Sequence, residues 1–435
     1  MNARTRPRIG TTSVVVGVAL LVALALRLFA LVAATGRTPF GDPLHYLNLA
    51  NSVLAGNGLV AVQGVDRTFI SRALFPPGYP LLLAAIGTAA PLTPATITLG
   101  NSLIDVGAAL LLFRLARQLD APRAALPAAI AYLCWPSIAL AAPLASKESL
   151  SIFLLLAALV CILERAKGGR RWWIVASGVA AGLMILTQPA ITPVLPILFV
   201  LLRDRFPSGR AWLHASFGAA LCAVLVLLPW WIRNYWLFDA FVPLTTSGGQ
   251  ALWVGAQPSG GFRWRPYPLA WYGQSELQLN HTAASAAWRI IADDPLGYLQ
   301  RCLVKLPASF LRPNLSVLNL AYMEPPKWPG LLRSRAVQLV PMLVELVPVA
   351  LALVGLVTLR RSLAARLLLG CIAVLAVRHL VRVQRTPPAV HDAFAVAAGG
   401  HDGRRHAPCG ETDISPERGI KSPPSSSATL VRSMH

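Results

Sequence analysis

Apolar residues in this chain gather into long runs, and polar residues into short clusters between them. The first run is Ser13 to Ala34, interrupted only by Arg27. A helix needs about 20 apolar residues to cross the hydrocarbon core of a bilayer, and this run reaches roughly 33 Å at about 1.5 Å per residue. Further runs predict spans at 95–113, 124–142, 148–163, 172–187, 189–202, 211–231, 337–358 and 366–383, nine spans in all. A shorter apolar stretch at 80–90 is expected to dip into the interface without crossing. The run 172–202 is divided into two spans with a turn near Gln188, because Pro189, Pro193 and Pro196 each remove a backbone donor from a helix. Arg4, Arg6 and Arg8 precede the first run as in a signal peptide. The run is longer than the apolar part of such a peptide, which makes it an uncleaved first span.

Composition narrows the class. Of 435 residues, 55% are hydrophobic and 13% charged, against about 25% charged in a soluble domain. So little polar surface could not cover so much apolar surface in water, and a disordered chain needs the opposite balance. The expected fold is an all-α polytopic membrane protein with about nine transmembrane helices. The net charge of +21 would suggest nucleic acid on a soluble protein. Here it follows the spans. Arg4/Arg6/Arg8, Arg114/Arg117/Arg123, Arg165/Lys167/Arg170/Arg171, Arg203/Arg205/Arg210 and Arg360/Arg361/Arg366 fall in alternate loops, and the opposite short loops hold only Arg37, Arg67, Arg72 and Lys147. By the positive-inside rule the N-terminus is cytoplasmic. Nucleic acid is not an expected partner; the bilayer is.

The expected organisation is a transmembrane module over 1–232, with a first outer loop at 35–79. An extracytoplasmic loop domain follows over 233–336, then C-terminal spans over 337–383. The tail over 384–435 is rich in Gly, Pro, Ser and charge and is expected to be disordered. The six cysteines are scattered without a C-x-x-C pair, so neither a zinc site nor a disulfide framework is expected. No phosphate-binding glycine loop is present, which disfavours an enzyme driven by cytoplasmic nucleotides.

The carboxylates separate the remaining classes. Ion-coupled transporters keep ionisable groups inside the membrane. The spans here hold Asp105, Glu345 and the basic Arg27, and Asp105 and Arg27 can pair structurally. Asp42, Asp66, Glu148, Asp239, Glu276, Asp293, Asp294 and Glu324 all fall on the outer side, where an enzyme working outside the cytoplasm would place its chemistry.

Three outer features stand out. Asp42 is a good helix cap before Pro43, and Leu47, Ala50 and Leu54 recur at helical spacing opposite His45, Asn48 and Ser52. Gly56-Asn57-Gly58 then ends an amphipathic helix lying in the outer interface. Arg72-Ala-Leu-Phe-Pro-Pro-Gly-Tyr-Pro80 forms a rigid turn before the apolar stretch, either a plain re-entry turn or part of a site. Ser146-Lys-Glu-Ser149 puts opposite charges at the membrane edge. They are either a snorkelling Lys beside a helix-start Glu, or a phosphate-binding Lys with a carboxylate partner.

Gly41-Asp42-Pro-Leu-His-Tyr46, Leu49-Ala50, Gly56-Asn57-Gly58, Pro76-Pro-Gly-Tyr-Pro80, Lys147-Glu148, Pro229-Trp-Trp-Ile-Arg-Asn234 and Phe241-Val-Pro-Leu244 occur in that order. Together they resemble the protein O-mannosyltransferase-like glycosyltransferases of the GT-C superfamily over roughly residues 10–260. The resemblance implies a transferase with a polyprenyl-phosphate sugar as donor, acting on the outer face, with an essential acidic residue in the first outer loop. Asp42 matches that position.

The chemistry is consistent with this. An acceptor hydroxyl attacking the anomeric carbon needs a base, and a phosphate leaves as a stable anion, so one carboxylate suffices for an inverting displacement. Asp42 is the expected base. Arg72, Lys147 and Arg233 are candidates to stabilise the leaving phosphate. Glu148 is a candidate to orient Lys147 or a divalent metal ion. Tyr46 and Tyr79 are candidates to line the sugar site, and Asn234 to hold the loop after the seventh span.

Relatives often carry a second acid after the first-loop Asp, where this chain has Pro43, which argues against a paired-carboxylate metal site. They also continue with further spans, whereas this chain has Arg382-Val-Gln-Arg385 and then a polar tail. A truncated or frame-shifted C-terminus is therefore expected. The acceptor class stays open between protein, lipid and glycan. A lipid or solute transporter, and an inactive GT-C-like subunit, are the alternative readings. Arg outnumbers Lys by 34 to 5, consistent with a GC-rich bacterium and an inner-membrane location.

Overall fold

The computed structural model describes residues 11–63, 69–258, 267–271, 273–310 and 315–358, with Ser362, Leu363 and Leu367. The expected span at 366–383 (Leu367 apart), the polar tail and the first basic cluster lie outside the described residues. Among those described the protein is helical, apart from one hairpin. The first run forms α1 (Thr11–Ala34), and the loop after it holds α2 (Asp42–Leu54). The hairpin follows, β1 (Ala61–Gln63) antiparallel to β2 (Phe69–Ser71), with Ala61 opposite Ser71. The proline turn leads into α3 (Gly78–Gly87), the short apolar stretch expected at the interface.

Four further segments build the bundle core: α4 (Pro94–Gln118), α7 (Glu148–Ala166), α8 (Trp172–Thr187) and α10 (Gly209–Phe238). They pack in the order α4, α7, α8, α10. Small residues allow the close approach, as is usual between helices that lack a hydrophobic drive to associate in lipid. Gly178 and Gly182 of α8 lie directly against Ala219, Cys222, Ala223 and Val226 of α10, and Gly107 of α4 against the Phe153 ring of α7. α1, α4, α7 and α10 are long and apolar enough to cross a membrane.

Two expected spans differ. The stretch 124–142 is broken into α5 (Pro122–Leu133) and α6 (Pro136–Ala139). Trp135 is extended between them, because a residue before proline is pushed out of helical geometry. The run 172–202 divides as expected: α8 ends at Thr187, and a tight 3-10 turn over Pro189–Ile191 leads to α9 (Val194–Leu201). The second half, Pro189–Leu201, is short, about 20 Å at 1.5 Å per residue, less than a full hydrocarbon core.

After α10 come α11 (Gly248–Ala256), α12 (Glu276–Asp293), α13 (Pro295–Phe310), α14 (Leu315–Ala321) and α15 (Pro329–Leu332). α16 (Arg335–Thr358) is the run expected at 337–358. Glu345 of α16 accepts hydrogen bonds from the Ser137 backbone N–H (2.7 Å) and hydroxyl (2.6 Å), which fixes α16 against the start of α6.

Charge and apolar residues are distributed as lipid requires. Leu21 of α1, Leu103 and Leu110 of α4 and Phe217 of α10 are exposed, whereas Arg27 and Asp105 are buried. Arg27 and Asp105 form the expected pair, Nη2 to Oδ2 at 3.0 Å. Arg27 also donates to the Leu133 carbonyl at 2.8 Å, and the Tyr132 hydroxyl donates to Asp105 Oδ1 at 3.1 Å. This pair ties α1, α4 and α5 together. The chain is an all-α polytopic membrane protein.

Candidate active site

Gly41 has φ 64°, and its carbonyl accepts the first helical hydrogen bond of α2, from His45 N at 3.2 Å. Gly41 is therefore the cap, and Asp42 is the first helical residue. The expectation that Asp42 itself caps the helix is corrected. Only glycine takes this left-handed conformation freely, and it sets the direction in which Asp42 leaves the chain. The buried face of α2 also differs from the expected one. Pro43, Tyr46, Leu49 and Ala50 are buried, whereas Leu54 is exposed and Leu47 only half-buried. The proline turn is the cause. Phe75 stacks on His45 (4.9 Å between ring centres) and meets Tyr46 edge-on (5.6 Å), and Tyr79 meets Tyr46 at 5.7 Å.

Lys147 reaches the same face. It is 5% exposed, and its Nζ lies 5.5 Å from the centre of the Tyr46 ring, itself 1% exposed. Asp42 and Tyr46 are four residues apart and share a face of α2. Lys147 is thus turned into the protein, not snorkelling to water, whereas Glu148, the first residue of α7, is exposed. The turn before Lys147 is pinned by Asn101 of α4. Its Nδ2 donates to the carbonyls of Ala142 (3.0 Å) and Leu144 (3.1 Å), and its Oδ1 accepts from the Tyr79 hydroxyl (3.1 Å). Gly78 lies directly on Thr187 and the Leu186 carbonyl carbon at the end of α8, a contact that leaves no room for a side chain.

A second group gathers around Glu276, the first residue of α12. Its buried carboxylate accepts from the backbone N–H of Arg72 (2.7 Å) and of Ala73 (3.0 Å), and from the Thr246 hydroxyl (2.5 Å). Thr246 N donates in turn to the Ala73 carbonyl at 3.0 Å. Arg233 lies over the Trp230 ring (4.7 Å) and donates to Asn234 Oδ1 (2.9 Å) and the Leu59 carbonyl (3.3 Å). Glu276 and Arg72 are both close enough to act on its charge. Asn234 is fully buried within α10 and donates to the Val242 carbonyl at 2.9 Å, which holds the loop after that helix as expected.

The predicted residues therefore fall into two groups. Asp42, Tyr46, Tyr79 and Lys147 are joined through α2, the proline turn and the α6–α7 loop. The Arg72 backbone is held by Glu276, and Arg233 and Asn234 hold each other together with Leu59 and Val242. Three positioning residues escaped notice in the sequence. Asn101 carried a signal, as the one amide within the apolar span 95–113. Glu276 carried none beyond its place among the outer acids. Arg37 donates to the carbonyls of Ala33 (3.0 Å), Leu320 (2.8 Å), Met323 (2.5 Å) and Pro325 (2.7 Å). Burial lowers the Arg37 pKa from its ordinary value, with Glu324 opposing that shift. Together with the Thr38–Glu324 bridge, it clamps the loop that leads to Asp42. Among the described residues no three His, Cys, Asp or Glu side chains come together as a metal set.

Residues 76–232 match the family model described as dolichyl-phosphate-mannose-protein mannosyltransferase. Two solved structures are similar in outline. One is ArnT from Cupriavidus metallidurans bound to undecaprenyl phosphate, at 16% identity and a TM-score of 0.46, covering 86% of this chain and 77% of that one. The other is the Archaeoglobus fulgidus oligosaccharyltransferase in complex with zinc and sulfate, at 16% identity and a TM-score of 0.45, covering 88% of this chain and 49% of that one. No curated protein matches. The matched segment runs from the proline turn through α10 and includes Tyr79, Lys147 and the core helices. Over that segment, about a third of the chain, the protein is similar to this mannosyltransferase family.

Proposed function

We propose that the protein transfers a sugar from a polyprenyl-phosphate donor to an acceptor hydroxyl at the outer face of a bacterial inner membrane. The acceptor oxygen attacks the anomeric carbon, the bond from that carbon to the phosphate oxygen breaks, and the polyprenyl phosphate leaves. Asp42 takes the hydroxyl proton, and the single displacement inverts the anomeric centre. Lys147 stabilises the phosphate as charge grows on it, and Arg72 and Arg233 supply a second positive pole. Tyr46 and Tyr79 wall the space between. Glu148 tunes the charge at the membrane edge.

The observation that carries this reading is the meeting of Lys147 with the α2 face that begins at Asp42. This puts a buried cation on an aromatic ring of the helix that begins at Asp42, where a departing phosphate would meet positive charge. ArnT, which was solved with undecaprenyl phosphate, motivates the choice of donor lipid.

The test is transfer from a radiolabelled polyprenyl-phosphate sugar in membranes. Asp42→Asn should lower transfer by about 10²–10⁴-fold, the usual worth of a general base, at an unchanged membrane level. Undiminished transfer by that variant removes Asp42 from the role. Absence of transfer by the wild type with every donor sugar favours an inactive subunit.

A further inference from the structure

The helix α13 is inside-out. Over Pro295–Lys305, Tyr298, Arg301, Cys302 and Lys305 face the protein, and the large aliphatic side chains face outward around one exposed polar residue, Gln300. Lys305 is 3% exposed, with its Nζ on the Gly255 carbonyl at 2.6 Å, and Cys302 is 2% exposed. Tyr298 and Arg301 are half-buried on the same side. The opposite stripe is Leu296, Leu299, Leu303 and Val304, at 79%, 51%, 56% and 55% exposure. These positions recur at intervals of three, four and one, the spacing of one helix face. A helix in water would present the reverse pattern. Burying a lysine while exposing four aliphatic side chains is favourable only where the outside is itself apolar.

The chain ties the end of α13 to an element packed on the last turn of α1. Five Cα steps separate Phe310 from Leu315, and an extended chain covers at most about 18 Å in that distance. Beyond them, Val317 and Leu320 of α14 pack with Ala30, Ala33 and Ala34, the last turn of the first span. Trp288 on α12 is 62% exposed, and tryptophan is enriched at the level of lipid headgroups.

We infer that α13 docks its Leu296–Leu299–Leu303–Val304 face into the lipid leaflet at the end of α1. α13 is then a monotopic membrane element resting on the bilayer. This inference depends on neither the donor nor the direction of insertion.

Apolar carbene labelling tests it. The full-length protein is reconstituted in phosphatidylcholine/phosphatidylglycerol vesicles with a diazirine probe dissolved in the bilayer, then photolysed, digested and mapped by mass spectrometry. Labelling at Leu296, Leu299, Leu303 and Val304 should equal that of the lipid-facing residues Leu221 and Leu225 of α10. It should exceed that of the polar loop around Arg170 and Arg171 by about tenfold, because the probe partitions with the hydrophobic effect. Labelling no higher than in that polar loop overturns the inference. So does cross-linking of α13 to α13 of a second copy in place of labelling.

Discussion

The ammonium of Lys147 lies 5.5 Å from the centre of the Tyr46 ring, and both side chains are buried. A desolvated cation over an aromatic face gains about 2 kcal/mol. The ring thus holds the ammonium on the face of α2 that begins at Asp42.

Lys147→Met should therefore leave the protein folded but reduce transfer by about a hundredfold or more, as removal of a group that stabilises developing charge does. Lys147→Arg should retain part of the activity. Tyr46→Phe, which keeps the ring, should perturb donor KM less than Tyr46→Leu. Steady-state kinetics on purified variants in lipid distinguish these outcomes.

Glu276 holds the proline-turn strand and the loop after α10 together through one carboxylate. Glu276→Gln replaces one acceptor oxygen with a donor that faces donors. It should cost about 1–3 kcal/mol, the usual penalty for an unsatisfied buried group. Thermal unfolding in detergent reads the loss. A matching increase in donor KM through Arg72 and Arg233 is expected.

The Arg27–Asp105 pair lies in the bundle with Tyr132 as a third member. Asp105→Ala leaves a buried guanidinium without its carboxylate and should destabilise the protein by about 3–5 kcal/mol. The double replacement Arg27→Leu with Asp105→Leu should recover most of that loss. A double variant as unstable as the single one contradicts a purely structural role.

Asp294 precedes α13. Its pKa is lowered first by the hydrogen bond from the Gly297 backbone N–H and then by Arg301. A carboxylate with a lowered folded-state pKa contributes in full above its ordinary pKa. That contribution is lost as pH falls through the lowered value. Amide exchange at Gly297 should stay protected through the ordinary carboxylate range and accelerate only at lower pH. Asp294→Ala should remove the protection at every pH.

Much of this architecture is written in local sequence, because membrane insertion reads hydrophobicity along the chain. The runs behind α1, α4, α7 and α10, the division at Pro189 and the shortness of α3 all follow from composition and proline chemistry. The Arg27–Asp105 pair followed from the scarcity of charge in the spans. The break at Trp135-Pro136 was legible in the proline but was masked by the apolar run around it. Which face of α2 is buried was decided by Phe75 and Tyr79, and whether Lys147 turns inward was decided by Tyr46. The service of Glu276 to Arg72 and Ala73, some 200 residues away, depends on α12 returning to the proline turn. The outward leucines of α13 have the same pattern as inward ones, since amphipathicity fixes that a helix has two faces but not which one meets the protein. Periodicity describes a single element, whereas burial is a property of the neighbours that element finds.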